Sequence, residues 1–512
     1  MTSATCWSPT SEAPGREGAQ RPHVGVPAIS WQDDPMNATP SVSAPSVSNS
    51  ITVRLELPAR ATAVSELTTA IEASGGLVTG LDVTASGHQR LQVDVTAAAR
   101  DTAHADQIVE AMRAVNGVEI GKVSDRTFLM HLGGKLKIES KVPIRNRDDL
   151  SMIYTPGVAR VCMAIAENPA DARRLTIKRN TVAVVTDGSA VLGLGNIGPL
   201  AALPVMEGKA ALFKRFGDID AFPICLDTQD VDEIVAAVKA IAPVFAGINL
   251  EDISAPRCFE VEARLRAELD IPVFHDDQHG TAIVVLAALR NALRVVGKEL
   301  GDVRIVQSGA GAAGTAILKL LMKAGATDIV VADSRGAIHG AREDIVRDRP
   351  ENRVWLAEHT NKRGVTGSLK EVIAGADVFI GVSAPNILTG DDIATMSHDS
   401  IVFALANPDP EVNIAAASQH AAVVASGRSD AANQINNVLV FPGVFRGLLD
   451  AQTNAVTDDV LFAAANALAN IIGEDELNAA YIIPSVFHPD VAKIVAAAVE
   501  AAARASMTTA TV

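Results

Sequence analysis

Short apolar runs alternate with helical patterns along most of this chain. Between residues 131 and 280, TVAVVTD, AFPICLD, VFAGINLED and IPVFHDD each combine a short apolar run with a terminal acid. Continuous apolar runs of this length are typical of strands that are buried on both faces of a parallel sheet. Residues 131–280 are therefore predicted to form an α/β domain.

The pattern continues after residue 280 with a long apolar helix, TAIVVLAALRNALRVVG. It is followed by the apolar runs VRIVQSG, DIVVAD, DVFIGVS, SIVFALANP and AAVVASG, and by Ala-rich C-terminal helices. Strands and helices that alternate in this way predict a doubly wound, Rossmann-type nucleotide-binding domain over residues 281–512. A charge-rich stretch between Arg342 and Arg363 is interpreted as a surface insertion.

The N-terminal part of the chain divides into two segments. Residues 1–49 are rich in Ser, Pro and Ala, a composition that predicts a disordered tail. Residues 50–128 carry strand and helix patterns in the order βαββαβ. This segment resembles an ACT domain, and the resemblance implies either a site for a small-molecule effector or a dimerisation module. Pro58-Ala59-Arg60 stands where that family usually has Pro-Gly.

The composition bears on the cellular compartment and on the classes of partner that the chain is expected to bind. The formal net charge of −16 argues against binding to nucleic acid or to an anionic membrane. Four cysteines without a CxxC motif argue against a disulfide framework and favour a reducing cytoplasm. The sequence contains no uninterrupted apolar stretch of about 18 residues, so no membrane span is predicted.

Two adjacent pairs of acids, Glu251-Asp252 and Asp276-Asp277, directly follow apolar runs. Ligands bind at the carboxyl edge of open α/β sheets, so both pairs are predicted to meet there around one hard cation, Mg²⁺ or Mn²⁺. A single pair of this kind is usually a solvated loop start. Two pairs at neighbouring strand ends favour the cation, because like charges held together need neutralisation.

A dinucleotide fingerprint follows in SGAGAAG, after a strand and before a helix. Asp333 lies where an acid accepts hydrogen bonds from a ribose, which favours NAD, while Arg335 leaves NADP open. The second glycine match, GLGNIG, is interpreted as a substrate-side loop. The residues predicted to bind the cofactor are Gly309, Ala310, Gly311, Ala312, Ala313, Gly314, Asp333, Ser334 and Asn407.

The strings YTPGVA, TDGSAVLGLGNIG, EGKA, NLEDI, FHDDQHGTA, SGAGAAG, ANPDPE and NNVLVFPG occur in the order found in malic enzymes, which this chain resembles from about residue 135 onward. The resemblance implies oxidative decarboxylation of L-malate to pyruvate and CO₂ with reduction of NAD or NADP. It also implies a homodimer or homotetramer. Malolactic conversion of malate to lactate and a non-catalytic nucleotide or effector sensor are the alternatives.

The resemblance also implies roles for individual residues. Glu251, Asp252 and Asp277 match the ligands of the cation. Lys209 matches the base that removes the hydroxyl proton, with Asp276 beside it, and Tyr154 matches the acid that protonates the enol carbon. Asn407, Asn436 and Asn437 match residues that contact malate or the nicotinamide. Burial near the divalent cation is expected to lower the pKa of Lys209 toward 7–8, from about 10.4. The larger eukaryotic-type members have an arginine where this chain has Ala190, so the group that holds the second carboxylate of malate is not identified.

Overall fold

The computed structural model describes residues 45–348 and 351–509. Most of the predicted tail, residues 1–44, lies outside this part of the chain. The first strand begins at Ser46, slightly ahead of the predicted boundary at residue 50.

The N-terminal segment forms an antiparallel sheet with two helices. Its elements are β1 (Ser46–Pro58), α1 (Ala63–Ala73), β2 (Leu77–Ser86), β3 (Arg90–Ala99), α2 (Thr102–Arg113) and β4 (Glu119–Asp125). The strand order is β2-β3-β1-β4. Alternate β1 residues Val53, Leu55 and Leu57 are buried in one apolar core with Leu67 and Ile71 of α1. The elements follow the predicted βαββαβ order, and the ACT-like role of the segment stays a prediction.

A stretch of short helices leads from this segment to the first parallel sheet. It contains α3 (Arg126–His131), α4 (Arg147–Ile153), α5 (Val158–Glu167), α6 (Asp171–Leu175) and a 3-10 helix (Ile177–Asn180). None of the residues from 126 to 180 is buried. We call residues 136–175 the arm.

The first parallel sheet carries the acidic pairs. Its elements are β5 (Thr181–Thr186), α7 (Pro199–Gly217), β6 (Asp220–Cys225), α8 (Val231–Ile241), a 3-10 helix (Ala242–Val244), β7 (Gly247–Leu250), α9 (Arg257–Glu268) and β8 (Val273–His275). The strand order β6-β5-β7-β8 makes β7 and β8 neighbours. A π-helical turn (Asp276–Gly280) then leads into α10 (Thr281–Val296). The predicted strands are therefore present in this sheet.

The second parallel sheet is of the Rossmann type. Its elements are β9 (Arg304–Ser308), α11 (Ala312–Lys323), β10 (Asp328–Asp333), β11 (Gly336–Ala337), α12 (Glu343–Asp348), α13 (Glu351–His359), α14 (Leu369–Val372), β12 (Val378–Gly381), α15 (Gly390–Ala394), β13 (Ile401–Ala404), α16 (Ile414–Ala417) and β14 (Val423–Ser426). The strand order is β11-β10-β9-β12-β13-β14, and only the short β11 pairs antiparallel among these described strands. A 3-10 helix (Asn437–Leu439), α17 (Phe441–Ala451), α18 (Asp458–Ala469) and α19 (Val491–Thr509) complete the described chain.

One apolar core joins the two parallel sheets, with α10 running through it. In the described residues, Asp276–Val296 is the one helical stretch long and apolar enough to cross a membrane, and 67% of its apolar window is buried inside the fold. That degree of burial is typical of a core helix.

The charge-rich stretch from Arg342 to Arg363 is only partly the surface insertion that its sequence indicates. It contains α12 and α13, and Ile345 and Leu356 are buried in the core. A few apolar residues at helical spacing anchor it, and their signal is hidden by the surrounding charges.

Candidate active site

The two acidic pairs meet at the carboxyl ends of β7 and β8. Leu250 and His275 are partners in the parallel register, so the acids that follow them leave the sheet side by side. Carboxylate oxygens of Glu251, Asp252 and Asp277 all lie within 4.8 Å of one another. The structure thus brings together the three residues predicted to hold a cation.

The state of these carboxylates fits a divalent cation. Oδ2 of Asp252 is buried without a hydrogen-bond partner. Burial, followed by the charge of Asp277, raises the pKa of Asp252 to about 8. Burial also raises the pKa of Glu251 well above its ordinary value. Three clustered oxygen donors, one of them unpaired, are the ligand set that Mg²⁺ or Mn²⁺ prefers.

Lys209 lies on α7 and reaches the same carboxylates. Its side chain is 11% exposed, and its Nζ is 2.6 Å from Oδ2 of Asp276 and 2.7 Å from Oε1 of Glu251. The ammonium also lies 4.3 Å from the ring centroid of Phe441. Burial alone would lower the pKa of Lys209, but the two carboxylates outweigh it and raise that pKa. The lowering of this pKa beside a bound divalent cation stays a prediction.

Asn437 and Asn436 have different positions although they are adjacent. Nδ2 of Asn437 donates to Oδ2 of Asp276 at 3.1 Å and to the hydroxyl of Thr281 at 3.1 Å. The side chain of Asn436 instead accepts from the backbone N–H of Val438 and caps a 3-10 helix. Of the two asparagines, Asn437 is therefore the one that contacts Asp276, the partner of Lys209.

The glycine-rich loop has the geometry of a dinucleotide site. Gly309 has a φ of +112°, and a Cβ there would lie 2.5 Å from the carbonyl oxygen of Val382. At Gly314 a Cβ would lie 2.2 Å from the carbonyl oxygen of Gly309. A Cβ on Gly311 would meet open space, and this residue is the N-cap of α11. Open space at a helix N-terminus suits a pyrophosphate.

The other predicted cofactor residues lie at two places. Ala312 and Ala313 form the first turn of α11, and the carbonyl of Ala310 accepts from Nδ2 of Asn352. Asn407 follows β13, and its carbonyl oxygen would lie 2.6 Å from a Cβ on Gly193 of the GLGNIG loop. Asn407 therefore lies against the GLGNIG loop, which connects β5 to α7 of the first parallel sheet.

Asp333 ends β10, as predicted, but its carboxylate is already paired. Arg342 donates to both of its oxygens at 2.8 Å, and Arg353 lies 3.3 Å away. Burial opposes ionisation of Asp333, but the Arg342 guanidinium outweighs it and holds the pKa of that carboxyl below its usual value. Ser334 follows at the end of the strand, and Arg335 is exposed. The backbone N–H of Arg335 donates to Oδ1 of Asp333 at 2.9 Å, and a contact of its side chain with a 2′-phosphate stays a prediction.

Tyr154 does not join the cluster within this chain. It lies in the arm, is 67% exposed, and its hydroxyl makes no hydrogen bond in the described part of the chain.

Three groups around the acids are not among the residues predicted from the sequence. Asn249 donates to Oε2 of Glu251 at 2.8 Å, and Phe441 faces Lys209. Arg257 pairs with Asp187 at 3.0 Å beside the same edge of the sheet. The position of Asn249, at alternate spacing to Glu251 in a buried strand, is the only sequence signal for these contacts.

Two family models match the chain. Residues 133–266 match the malic enzyme N-terminal domain, and residues 278–504 match the malic enzyme NAD binding domain. The first match covers the arm and the Glu251-Asp252 pair, and the second covers the glycine loop and the Rossmann sheet, while Asp276 and Asp277 lie between the two matches.

Relatives cover more of the chain. An NAD-dependent malic enzyme of Geobacillus stearothermophilus is 57% identical over 456 residues, which are 88% of this chain and 94% of the relative. This match is longer than the stretch from residue 133 to the C-terminus, so the similarity extends into the N-terminal segment. A bifunctional malic/malolactic enzyme of Bacillus subtilis is 54% identical over 72% of this chain and 90% of the relative.

A solved structure agrees with these relatives. The NAD-dependent malic enzyme of Thermotoga maritima is 46% identical and superposes with a TM-score of 0.70, covering 74% of this chain and 99% of the other. Family models, relatives and structure give the same result, and the chain belongs to the malic enzyme family.

Proposed function

We propose that the protein oxidises and decarboxylates L-malate to pyruvate and CO₂ with NAD as the hydride acceptor. The observation that carries the proposal is the contact of a buried lysine, Lys209, with Asp276 and Glu251 at the edge of a cluster of carboxylates. A base can take the hydroxyl proton as a 2-hydroxy acid is oxidised, and a neighbouring cation would favour the loss of CO₂ from the resulting keto acid.

Each residue of the cluster has a definite part in this chemistry. Glu251, Asp252 and Asp277 would hold Mg²⁺ or Mn²⁺, which supplies positive charge for the substrate oxygens and lowers the barrier by several kcal/mol. Lys209 accepts the hydroxyl proton at Nζ, and Asp276 orients that amine through the bond at 2.6 Å. Asn437 donates to the same carboxylate and fixes it in place.

The charge balance explains how Lys209 becomes a base. Two carboxylates raise its pKa, so the amine is an ammonium when both face it without compensation. Neutralisation of Glu251 by a cation removes one of these two charges and allows burial to favour the neutral amine. The cluster therefore links the cation to the protonation state of the base.

The glycine loop and Asn407 would hold the nicotinamide cofactor at the edge of the second sheet. Bound NAD supplies the hydride acceptor, and the loop at Gly311 leaves open space for its pyrophosphate. Arg342 holds the carboxyl of Asp333 ionised at the end of β10. A negative charge at this position favours the ribose hydroxyls of NAD over a 2′-phosphate. After decarboxylation, Tyr154 protonates the enol carbon and pyruvate forms.

Product analysis tests the proposal. We expect malate, Mn²⁺ and NAD to give free pyruvate, CO₂ and NADH in equal amounts, with lower rates for NADP. Formation of NADH without pyruvate, or no turnover at all, would contradict the proposal.

The relative named as a bifunctional malic/malolactic enzyme makes malolactic conversion the second candidate. In that case lactate would accumulate without net NADH. The same assay separates the two functions when lactate is measured beside pyruvate.

We also propose a cellular compartment, an oligomeric state and a role for the ACT-like segment, all in agreement with the sequence. The chain works in the cytoplasm as a homodimer or homotetramer. Its ACT-like segment binds a small-molecule effector or pairs with a second copy. The turn after β1 is closed by Arg60, which pairs with Glu66 and hydrogen-bonds to Thr62, so an effector at this loop would have to displace that pair.

A further inference from the structure

The turn that carries Asp276 and Asp277 brings two neighbouring acids to different partners. It is a π-helical turn (Asp276–Gly280) between β8 and α10, and turns of this type are rare and occur mostly at functional sites. Asp276 contacts Lys209, whereas Oδ2 of Asp277 accepts from the backbone N–H of Asp252 at 2.8 Å. A shift of the turn would therefore move one acid away from the proposed base and the other away from the proposed cation ligands.

A single carboxylate behind this turn holds the chain on both sides of the two acids. Glu262 lies on α9 and is buried, and its Oε1 accepts from the backbone N–H of His275 at 3.3 Å. The same oxygen accepts from Nε2 of His279 at 2.7 Å, and Oε2 accepts from Nε2 of Gln278 at 3.0 Å. His275 precedes the two acids in the chain, and the other two donors follow them. Glu262 thus binds the chain immediately before and immediately after the acidic pair.

An ionised carboxylate suits this position, and an amide of the same shape does not. A carboxylate has two accepting oxygens and no donor, so it accommodates all three N–H groups. Burial opposes ionisation of Glu262, but the contact with His279 outweighs it and holds the pKa of that carboxyl below its usual value. In an amide, the nitrogen would face one of the N–H donors, so at least one hydrogen bond would be lost.

Apolar contacts, and not this carboxylate, hold α9 on the sheet. Val261 and Leu265 of the same helix are fully buried in the apolar core of the first sheet, together with Ile248 of β7 and Val273 of β8. A buried ionic contact adds little net stability, because its charged groups lose their hydration. The three hydrogen bonds of Glu262 therefore act on the turn rather than on the packing of the helix.

We infer that Glu262 is a positioning residue of the cation site, and that it fixes the π-helical turn so that Asp277 faces the other two proposed ligands and Asp276 faces the proposed base. The inference rests on the proposed function for the roles of these two acids. Among the described hydrogen bonds of Glu262, none goes to a proposed cation ligand, so it acts through the turn.

Direct measurement of Mn²⁺ binding tests the inference. Glu262→Gln keeps the size of the side chain and should weaken Mn²⁺ binding by about 10–100-fold, the usual loss when a group that orients metal ligands is removed. Protein stripped with a chelator is titrated with Mn²⁺ alone, and the free ion is detected by its electron paramagnetic resonance signal. Glu260→Gln, at an exposed acid of the same helix, is the control and should bind Mn²⁺ as the wild type does. Wild-type affinity in Glu262→Gln would overturn the inference.

Backbone hydrogen exchange shows whether the effect is local. In the stripped protein without Mn²⁺, Glu262→Gln should speed exchange in peptides that cover residues 275–280 by about 10-fold, the effect of losing one hydrogen bond to a charged group. Peptides from β5 and from the glycine loop should exchange as in the wild type. A general increase across the first sheet would show that Glu262 supports the fold as a whole, and no increase would show that it does not hold the turn. Either result would overturn the inference.

Gln278→Met provides a second variant in case Glu262→Gln does not fold. It removes one of the three donors and should weaken Mn²⁺ binding by about 10-fold. Because Gln278 and Glu262 share this contact, the two substitutions together should weaken binding no more than Glu262→Gln alone. Additive losses, or an unchanged affinity in Gln278→Met, would contradict the inference.

Kinetics connect these measurements with the proposed function. In Glu262→Gln, the Mn²⁺ concentration for half-maximal malate turnover should rise and kcat should fall, while the KM for NAD is unchanged. A rise in the KM for NAD of the same size would contradict a role confined to the turn. Mn²⁺ binding and hydrogen exchange need neither malate nor NAD, so failure of the proposed function would leave both of those results unaffected.

Discussion

The acidic edge of the first sheet, which consists of Glu251, Asp252, Asp276 and Asp277, carries the proposed cation ligands and contacts the proposed base. The arm carries the proposed proton donor, Tyr154, and the two regions differ in burial. Glu251 and Asp276 are buried, held by strand ends, and in contact with Lys209. Tyr154 is exposed in a stretch without a buried residue. The comparison teaches that the charged part of the site is brought together within one chain, whereas Tyr154, the proposed proton donor, lies apart from it.

The largest expected effect comes from removing a carboxylate at the acidic edge. Asp277→Ala should lower kcat/KM for malate by about 10⁴-fold, because the cation loses a ligand and its Lewis-acid contribution of several kcal/mol. Initial rates at saturating Mn²⁺ measure this. Asp270→Ala, an exposed acid ahead of the same strand, is the control and should be near wild type. NAD binding should survive in both variants, and full malate turnover by Asp277→Ala would remove the basis for the acidic edge as a cation site.

The second-largest effect is expected at Lys209, the proposed base beside the acidic edge. Lys209→Ala should lower kcat by about 10³-fold, the range of general base catalysis, with little change in the KM for NAD. Lys214→Ala is the matched control on the same helix, since Lys214 is exposed and pairs with Asp218 and Asp220. Equal losses in the two variants would show that α7 matters for folding rather than for proton transfer.

The arm is tested by a smaller effect. Tyr154→Phe should lower pyruvate formation by about 10²-fold, because a proton donor is removed while the cation site is intact. Tyr481→Phe is the control, since these are the two tyrosines of the chain. If Tyr154→Phe kept its full rate, the arm would have no chemical part and the contrast between the two regions would be structural only.

A smaller effect is expected in the second sheet, where the test asks whether Asp333 and its ion pair with Arg342 set the coenzyme preference. Asp333→Ser should change the ratio of NAD to NADP efficiency by about 10-fold in favour of NADP, since it removes a negative charge worth about 1.4 kcal/mol at the ribose and frees Arg342. Parallel kinetics with both coenzymes measure it. An unchanged ratio would show that the Arg342 pair does not set the preference.

The smallest effect on activity is expected in the N-terminal segment. Leu67 is fully buried in its own core, and Leu67→Ala should destabilise the segment by about 2–5 kcal/mol while basal turnover is unchanged. Thermal unfolding and malate assays measure the two quantities. Leu77→Ala, at an exposed position of β2, should change stability by less than about 0.5 kcal/mol. Loss of basal activity in Leu67→Ala alone would show that the segment supports the site directly.

Local rules explain what the sequence could predict. Strand ends followed by paired acids, and glycines between a strand and a helix, are short patterns with one geometric outcome, so the positions of Glu251, Asp277 and Gly309 are predictable from the sequence. The contact of Asn437 with Asp276 joins residues 161 positions apart, and no local pattern indicates it. The same holds for Phe441 over Lys209, and for the direction of the Lys209 pKa, which depends on two distant carboxylates.

The cation dependence of malate oxidation tests the central claim most directly. Protein stripped with a chelator is assayed with malate and NAD while Mn²⁺ is added back, and pyruvate and NADH are both measured. The account predicts no turnover without the cation and saturable recovery as Mn²⁺ fills the site formed by Glu251, Asp252 and Asp277. Full turnover in the presence of excess chelator would contradict it.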